Sequence, residues 1–286
     1  KKIMTNLKKV LQNAYKRHYA VGAFNTSNLE ITQAILSASV KKKSPAIIAT
    51  SPKAIDYAGG PKILAAMVKE ASRGVTIPVV LHLDHSKTYE LAKDCIDAGY
   101  TSVMFDGSRL PYNDNVRITK KVVKIAHAKG VSVEGEIGII GGKEDYLKKR
   151  KIVLADPKIA NDFTKKTGID ALAAAVGTAH GLAADAPERI DFSLLREINK
   201  IVKKPLVLHG ASQGISDANI KKAIKEGIAK INIDTDLRVA FAKEVRALLK
   251  KNKTVYDPRA IIGSGRDGIM KTVEKKIAVF SSQNKA

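Results

Sequence analysis

The stretch PVVLHLDH at residues 78–85 indicates the fold more clearly than any other part of the sequence. Its first half is almost continuously apolar and β-branched, which is typical of a strand buried on both faces of a parallel sheet. Polar Asp84 and His85 follow at its end. We therefore predict a strand at Pro78–Asp84 that ends in side chains able to bind a metal or transfer a proton.

Seven further short apolar runs resemble this strand. They are Ala20–Asn25, Pro45–Thr50, Ser102–Asp106, Val131–Ile137, Ala171–Gly177, Pro205–His209 and Lys230–Asp234. Amphipathic helical patterns alternate with them at Leu29–Lys42, Ile63–Arg73, Tyr89–Ala98, Asn115–Lys129, Lys158–Thr167, Phe192–Ile201, Ser216–Glu226 and Asp236–Lys250. Such an alternation over 286 residues predicts an α/β fold, a (β/α)8 TIM barrel. An open doubly wound sheet is the alternative, although GAFNTSN at 22–28 lacks the GxGxxG loop of dinucleotide-binding sheets.

No linker divides the chain, so we predict a single barrel domain over residues 1–286. Lys1–Arg17 is predicted to form an additional N-terminal helix, and the segment after Lys251 a C-terminal helical segment. A long polar loop at residues 138–157 follows the fifth strand, and loops of this length are usually functional lids or disordered. We interpret it as a mobile active-site loop hinged at Gly141–Gly142, with an exposed acidic turn as an equal alternative.

The composition excludes several classes of protein. Fifty Lys and Arg against 28 Asp and Glu give a net charge of +22, and 44% hydrophobic residues exclude a disordered polycation. No apolar run reaches the roughly eighteen residues of a membrane span, and residues 1–20 lack a signal peptide, so we expect a cytoplasmic protein. The single Cys95 excludes an internal disulfide and a CxxC motif. Dispersed lysines and the absence of Trp favour a solvated basic surface over nucleic-acid binding.

Three histidines stand at the ends of different predicted strands, namely His85, His180 and His209. The carboxyl ends of parallel barrel strands converge on one mouth, where barrel active sites lie. Three imidazoles with a fourth position open are typical of catalytic zinc, although other divalent metals also bind imidazole. His82 is predicted to point to the same side as Asp84, where it would pack or support a ligand. His18 and His127 are predicted to lie on the surface.

A phosphate-binding site is predicted where the last two strands end. Gly210–Gly214 (GASQG) follows the seventh strand, and Asn232–Thr235 (NIDT) follows the eighth. Barrels often bind phosphate between these loops, because backbone N–H groups and a helix N-terminus favour an anion. A flexible connector is the alternative for the glycine-rich loop. Asn25 and Ser51 end the first two strands at the same mouth and are further candidates for substrate binding.

The set and order of these motifs resemble the class II, metal-dependent fructose-1,6-bisphosphate aldolases, a family that includes the tagatose-bisphosphate aldolases. The matching motifs are VGAFN at 21–25, LHLDH at 81–85, SVMFDGS at 102–108, VSVEGEIG at 131–138, GGKED at 141–145, VGTAHG at 176–181, LVLHGAS at 206–212, INIDTDLR at 231–238 and DPR at 257–259. The resemblance covers nearly the whole chain. It implies a barrel enzyme, an aldehyde-lyase that cleaves a carbon–carbon bond of a phosphorylated ketose.

The resemblance also implies roles for the metal-binding and proton-transferring residues. The residues implied to bind a catalytic Zn²⁺ are His85, His180 and His209. Glu136 and Asp106 match positions that hold a displaced or second metal in some members. Asp84 is implied to handle the proton of the C4 hydroxyl. Glu144, in the long loop, is implied to move the C3 proton of dihydroxyacetone phosphate.

The substrate-binding residues follow from the same resemblance. Those implied to hold the dihydroxyacetone phosphate part are Gly181, Gly210, Ala211, Ser212, Asn232, Ile233, Asp234 and Thr235. Arg259 or Arg266 is implied to reach the distal phosphate, from a neighbouring subunit of a homodimer or homotetramer. Whether a monovalent cation assists is left open by the sequence.

The chain departs from the family pattern at three places. Leucine and alanine follow Gly181 where the family has Tyr-Lys, Gln213 is inserted after HGAS, and Ser86 replaces a glycine after LDH. Asp234 favours fructose 1,6-bisphosphate, cleaved reversibly to dihydroxyacetone phosphate and glyceraldehyde 3-phosphate in glycolysis and gluconeogenesis. Tagatose bisphosphate or another ketose phosphate is the alternative substrate. A basic barrel protein that binds nucleic acid or another surface is the alternative of a different class.

Glu144→Ala is expected to keep the bound metal but to turn over slowly, because it removes the carboxylate that would take the C3 proton. General acid–base catalysis contributes about 10²–10⁴-fold, so kcat in a coupled cleavage assay should fall by a factor in that range. A variant with the zinc content and the kcat of the unmodified protein would contradict a role for this loop.

Overall fold

Eight parallel strands close into a barrel in the computed structural model, which describes residues 4–142, 151–180, 189–212 and 214–286. In chain order the barrel strands are β1 (Val21–Asn25), β2 (Ala46–Thr50), β3 (Val79–Ser86), β4 (Ser102–Phe105), β5 (Ser132–Ile137), β7 (Ala171–Ala174), β9 (Leu206–Leu208) and β10 (Ile228–Ile233). Each barrel strand pairs with its neighbour in the chain, and β1 pairs with β10 to close the circle. Two short strands, β6 (Gly141–Gly142) and β8 (Ala179–His180), pair outside the barrel. The prediction of a (β/α)8 barrel is confirmed.

Helices alternate with the strands as the sequence predicts. They are α1 (Leu7–Lys16), α2 (Leu29–Lys41), α3 (Pro52–Ala58), α4 (Pro61–Ala71), α5 (Tyr89–Ala98), α6 (Tyr112–Ala128), α7 (Pro157–Thr167), α8 (Phe192–Val202), α9 (Asp217–Lys225), α10 (Thr235–Lys251) and α11 (Pro258–Val279). The sequence analysis missed α3, which begins at Pro52 because the Ser51 side chain accepts a hydrogen bond from the backbone N–H of Ala54. Among the described helices, none combines the length and apolarity that a membrane span requires.

The helix ends follow local rules of capping. The Asn28 side chain accepts the backbone N–H of Ile31 at the start of α2, and the Thr88 side chain does the same for Leu91 in α5. At the other end, Gly99 and Gly168 follow α5 and α7 in left-handed conformations with φ of 99° and 75°. Glycine adopts this conformation without a Cβ clash, so the chain turns directly towards the next strand after both helices.

Two layers of apolar side chains hold the barrel. The larger cluster lies between the strands and the surrounding helices, and the smaller one fills the barrel interior at its amino-terminal end. Helix α1 contributes Leu7, Leu11 and Ala14 to the interior cluster, where they meet Val21 and Val80 at the starts of β1 and β3. The predicted N-terminal helix therefore seals the amino-terminal mouth of the barrel.

The sixth predicted strand is shorter than the sequence suggests. It is predicted to extend through Gly177 towards His180, but β7 ends at Ala174. Gly177 turns the chain with a φ of 106°, and a Cβ there would lie 2.2 Å from the carbonyl oxygen of Arg189. His180 consequently lies in β8, paired with Gly142, and not on a barrel strand.

The described ends of the predicted loop at 138–157 are bonded to the barrel. Ile139 and Val153 exchange backbone hydrogen bonds of 2.8 and 3.0 Å, and the N–H of Ala155 donates to the Ala175 carbonyl at 2.9 Å. The predicted hinge glycines form β6. Glu144 lies outside the described residues, so its predicted role remains a prediction.

Phe163→Ala should destabilise the fold strongly, because this fully buried side chain of α7 fills the space over Gly135 in β5. Truncation of a buried phenylalanine costs about 3–5 kcal/mol. Ile159→Ala on the same helix is the matched control, since Ile159 is 45% exposed. Urea unfolding followed by circular dichroism measures both variants, and equal shifts of the midpoint would contradict this assignment of the core.

Candidate active site

Three imidazoles meet at the carboxyl-terminal mouth of the barrel. The ring of His85 lies 5.0 Å from that of His180 and 4.4 Å from that of His209, centroid to centroid, and His180 and His209 lie 5.8 Å apart. One nitrogen of each ring lies within 4.8 Å of the others. Zn²⁺ binds imidazole nitrogen at about 2.0–2.1 Å, so three nitrogens this close together could be ligands of one ion. The convergence of the three predicted histidines is thus present in the structure.

The backbone explains how His85 reaches this cluster. Its φ is 50°, in the left-handed region, and the pairing of β3 with β4 shifts register between Leu83 and Ser86. This break overrides the alternation of side chains, so that His85 and Asp84 both face the mouth. His82 keeps the regular alternation and, as expected, lies on the same side of the strand as Asp84. Its Nδ1 lies 2.8 Å from the Ser102 hydroxyl in the barrel interior.

The chemistry of the donor set fits a divalent metal. The Nε2 atom of His180 is buried and has no hydrogen-bond partner among the described residues. Burial lowers the pKa of His180 well below its ordinary value, and it also lowers the pKa of His209. Both rings are therefore neutral near pH 7, and neutral imidazole is the form that binds a metal.

A second donor cluster shares His85. The Nδ1 atom of His85 lies 3.3 Å from Oδ2 of Asp106 and 3.7 Å from Oε2 of Glu136. The ammonium of Lys87 also contacts Asp106, a contact that the sequence analysis did not anticipate. Although burial alone would raise the pKa of Asp106, His85 and Lys87 hold it well below its ordinary value. The two predicted second-metal residues thus lie together beside His85.

Asp84 lies beside the imidazoles with both carboxylate oxygens engaged. Its Oδ1 accepts a hydrogen bond of 2.9 Å from the Asn232 amide, and its Oδ2 accepts one of 3.2 Å from the Asn25 amide. Burial would raise the pKa of Asp84, but the nearby His85 and Lys230 lower it below its ordinary range. Asp84 is therefore an ionised, oriented carboxylate that can accept a proton from a ligand at the mouth.

A buried ion pair beneath this site was not predicted from the sequence. The Nζ of Lys230 lies 2.9 Å from Oε2 of Glu134, and both side chains are fully buried. Although burial would raise the pKa of Glu134, Lys230 lowers it to about 2. Two features of the sequence point to these residues: Glu134 shares the two-residue period of Glu136, and Lys230 is the one charged residue of the strand IAKINI.

The loops after β9 and β10 approach one another as predicted. The Ser212 hydroxyl accepts a hydrogen bond of 3.1 Å from the backbone N–H of Asp234, and Thr235 begins α10. The ammonium of Lys276, from α11, donates to the Ser212 carbonyl at 3.4 Å. These contacts place a helix N-terminus and a cation around the predicted phosphate cradle.

The other predicted substrate-binding residues divide into three groups. Asn25, Ser51 and Asp234 line one cavity of about 250 Å³. Ala211 and Ile233 are buried in the core behind the mouth, and Gly210 is held against the backbone of Ala179. Gly181 lies outside the described residues.

The two predicted distal arginines lie on α11. Arg259 pairs with Asp257 and is 91% exposed, and Arg266 donates to Gln33 at 3.4 Å. Within the described ranges, no hydrogen bond or ion pair joins either arginine to another predicted site residue.

Comparison with known proteins matches this geometry to one family. The family model described as "Fructose-bisphosphate aldolase class-II" matches residues 5–285. The fructose-bisphosphate aldolase of Geobacillus stearothermophilus is 47% identical over 285 residues, with 99% of both chains covered, and that of Staphylococcus aureus strain Mu50 is 45% identical with the same coverage.

Solved structures agree with the sequence relatives. The YdjI aldolase of Escherichia coli K12 superposes with a TM-score of 0.85 at 30% identity, covering 99% of both chains. A putative fructose-1,6-bisphosphate aldolase of Coccidioides immitis has a TM-score of 0.89 at 30% identity, covering 98% of both chains. The predicted resemblance is confirmed: the chain belongs to the class II fructose-bisphosphate aldolase family of carbon–carbon lyases.

Proposed function

We propose that this chain is a zinc-dependent aldolase that reversibly cleaves fructose 1,6-bisphosphate to dihydroxyacetone phosphate and glyceraldehyde 3-phosphate. The observation that carries the proposal is the convergence of three imidazoles, of which those of His85 and His209 are buried, beside the ionised Asp84 carboxylate. The curated relatives named fructose-bisphosphate aldolase support the substrate. Because the aldolase family model covers residues 5–285, we prefer this function to the alternative of a basic nucleic-acid-binding protein.

The metal would be held by His85, His180 and His209, and His85 also belongs to the second donor group with Asp106 and Glu136. When bound, Zn²⁺ acts as a Lewis acid that stabilises negative charge developing on substrate oxygens. Zinc is our choice among divalent metals because three imidazoles and an open position are its usual catalytic ligands. A monovalent cation is a further candidate cofactor, which cleavage assays in Na⁺, K⁺ and tetramethylammonium buffers would test.

Asp84 would take the proton of the C4 hydroxyl when the C3–C4 bond breaks and return it in the reverse reaction. A general base needs a fixed position within hydrogen-bond reach of its proton. The amides of Asn25 and Asn232 provide that fixation by holding one carboxylate oxygen each. Glu144 would exchange the C3 proton from the loop around 138–157, which we propose as the mobile segment of a single catalytic domain.

The phosphate of the dihydroxyacetone part would bind between the loops after β9 and β10. Ser212, the backbone of Asp234 and the N-terminus of α10 supply donors there, and Gly181 and Gly210 would admit close backbone approach. Lys276, which is paired with Asp236 at 2.6 Å, would supply an ammonium there in a chain that lacks the Tyr-Lys pair after Gly181. We retain Asp234 as the residue that favours fructose over tagatose bisphosphate.

The distal phosphate would lie near the mouth, where Arg259 or Arg266 of a neighbouring subunit would reach it. The exposure of both side chains on α11 is compatible with such a contribution from a homodimer or homotetramer. We further propose that the enzyme works in the cytoplasm, in glycolysis and gluconeogenesis.

Removal of the metal should abolish cleavage, because the histidine cluster alone supplies no comparable Lewis acid. Protein treated with a strong chelator and dialysed is expected to lose activity in a coupled fructose 1,6-bisphosphate assay and to regain it with stoichiometric Zn²⁺. Full activity with a metal content below one-hundredth of the protein concentration, roughly, would disprove the metal mechanism.

His209→Ala should lose bound zinc and cleavage together, because a ligand and its contacts to Glu134 are removed in one step. His18→Asn is the matched control, since His18 is exposed and has a left-handed φ of 51° that asparagine tolerates. Metal analysis of the purified proteins and kcat measure the outcome. Equal zinc content in the two variants would contradict the ligand assignment.

A further inference from the structure

The ammonium of Lys230 is the most unusual group of the barrel interior that the proposed reaction does not use. It is fully buried, and its Nζ contacts Oε2 of Glu134 at 2.9 Å and Oδ1 of Asn232 at 2.7 Å. Burying an ammonium costs several kcal/mol unless good partners surround it. Apolar residues of the same volume are often as stable at such a position, so stability alone is a weak reason for a lysine here.

A bulge in β10 turns Lys230 inward. Ile228 pairs with Leu206 and Lys230 with Val207, so that two steps along β10 oppose one step along β9. The residue between them, Ala229, belongs to the interior cluster as well. Bulges often redirect side chains near active sites, and this one places Lys230 directly beneath the mouth.

Lys230 fixes which way the Asn232 amide faces. An ammonium only donates hydrogen bonds, so the oxygen of Asn232 must face Lys230 and its NH₂ must face the other way. That NH₂ donates to Oδ1 of Asp84 at 2.9 Å. The reversed amide would set its NH₂ against the ammonium and its oxygen against the Asp84 carboxylate. Lys230 therefore stabilises the one orientation in which Asn232 holds Asp84.

Glu134 transmits the same constraint to His209. One of its oxygens is held by Lys230, and the other, Oε1, lies 2.9 Å from Nε2 of His209. An ionised carboxylate only accepts hydrogen bonds, so Nε2 carries the proton and the lone pair of the neutral ring is on Nδ1. Nδ1, which lies 3.3 Å from the amide nitrogen of Asn232, is then the nitrogen that would bind a metal. Hydrogen bonds of this kind set the tautomer and orientation of metal-binding histidines.

We propose that Lys230, together with Glu134, is a positioning residue that orients both the Asp84 carboxylate, through Asn232, and the metal-binding nitrogen of His209. The proposal rests on the proposed metal-dependent function of the mouth. It joins the proposed base and one proposed ligand through three buried hydrogen bonds and one buried ion pair. The hydrogen bonds link Asp84 to Asn232, Asn232 to Lys230, and Glu134 to His209, and the ion pair links Lys230 to Glu134. A defect in Lys230 should consequently affect both partners at once.

Lys230→Met tests the proposal, because methionine keeps most of the volume of the side chain but removes its charge and its donors. Loss of such supporting contacts typically costs 10–100-fold in metal affinity or activity. We expect zinc affinity, measured by competition with a chromogenic chelator, and kcat for fructose 1,6-bisphosphate each to fall by about that factor. KM should change much less, since substrate contacts are retained. The visible absorption spectrum of the Co²⁺-substituted protein should also change.

Lys8→Met is the matched control, since it removes the same charge at the opposite end of the barrel, where Lys8 pairs with Asp170. It should leave zinc affinity, the Co²⁺ spectrum and kcat unchanged. A Lys230→Met protein that unfolds at a lower temperature but retains all three properties would show a merely structural role and overturn the proposal.

The double variant Lys230→Met/Glu134→Gln covers the case in which Lys230→Met fails to fold. It removes both buried charges together, a change that is often tolerated. It should fold and still show reduced zinc affinity and kcat, and unmodified values of both would overturn the proposal. If the unmodified protein does not cleave fructose 1,6-bisphosphate, the proposed function fails separately, and zinc affinity and Co²⁺ spectra still decide the role of Lys230.

Discussion

The backbone pairing of β1 with β10 is the constraint on which the rest of the structure depends. It joins the first and last barrel strands in register, with Ala23 opposite Asn232 and Phe24 opposite Ile233. A closed sheet has no unpaired edges, and its interior is fixed by the facing side chains of all its strands. Closure therefore brings Asn25 and Asn232, from opposite ends of the barrel sequence, to the two oxygens of Asp84.

The barrel interior is divided between two kinds of chemistry. Its amino-terminal end is filled with apolar side chains, whereas its carboxyl-terminal end contains charged groups that are almost fully buried. Charges in such surroundings interact more strongly than in water, because little solvent screens them. This explains why Lys230 lowers the pKa of both Asp84 and Glu134 although burial acts in the opposite direction. The apolar layer of the barrel interior packs beneath these charged groups.

The sequence predicted the elements that depend on local patterns. Strand β3 and helix α5 were evident because an apolar run and a capped, amphipathic pattern specify them without help from distant residues. The position of His180 was not evident from the sequence. The chain turns away from the barrel at Gly177, and His180 then pairs with Gly142 of β6, a contact that no local pattern encodes. Lys230 was missed for a similar reason, since its burial depends on Glu134 from another strand.

Helix α1 gives the barrel a closed floor. Its backbone is tied to the barrel at the N–H of Lys8, which donates to the Ser132 side chain, and at the N–H of Thr5, which donates to the Val79 carbonyl. Among the described residues, α1 and the interior apolar cluster thus close the amino-terminal end of the barrel, so a ligand of the histidine cluster would enter and leave at the carboxyl-terminal mouth. The carboxyl-terminal face of such a barrel carries its chemistry and the amino-terminal face its stability, so substitutions around α1 should change the unfolding temperature more than the kinetics.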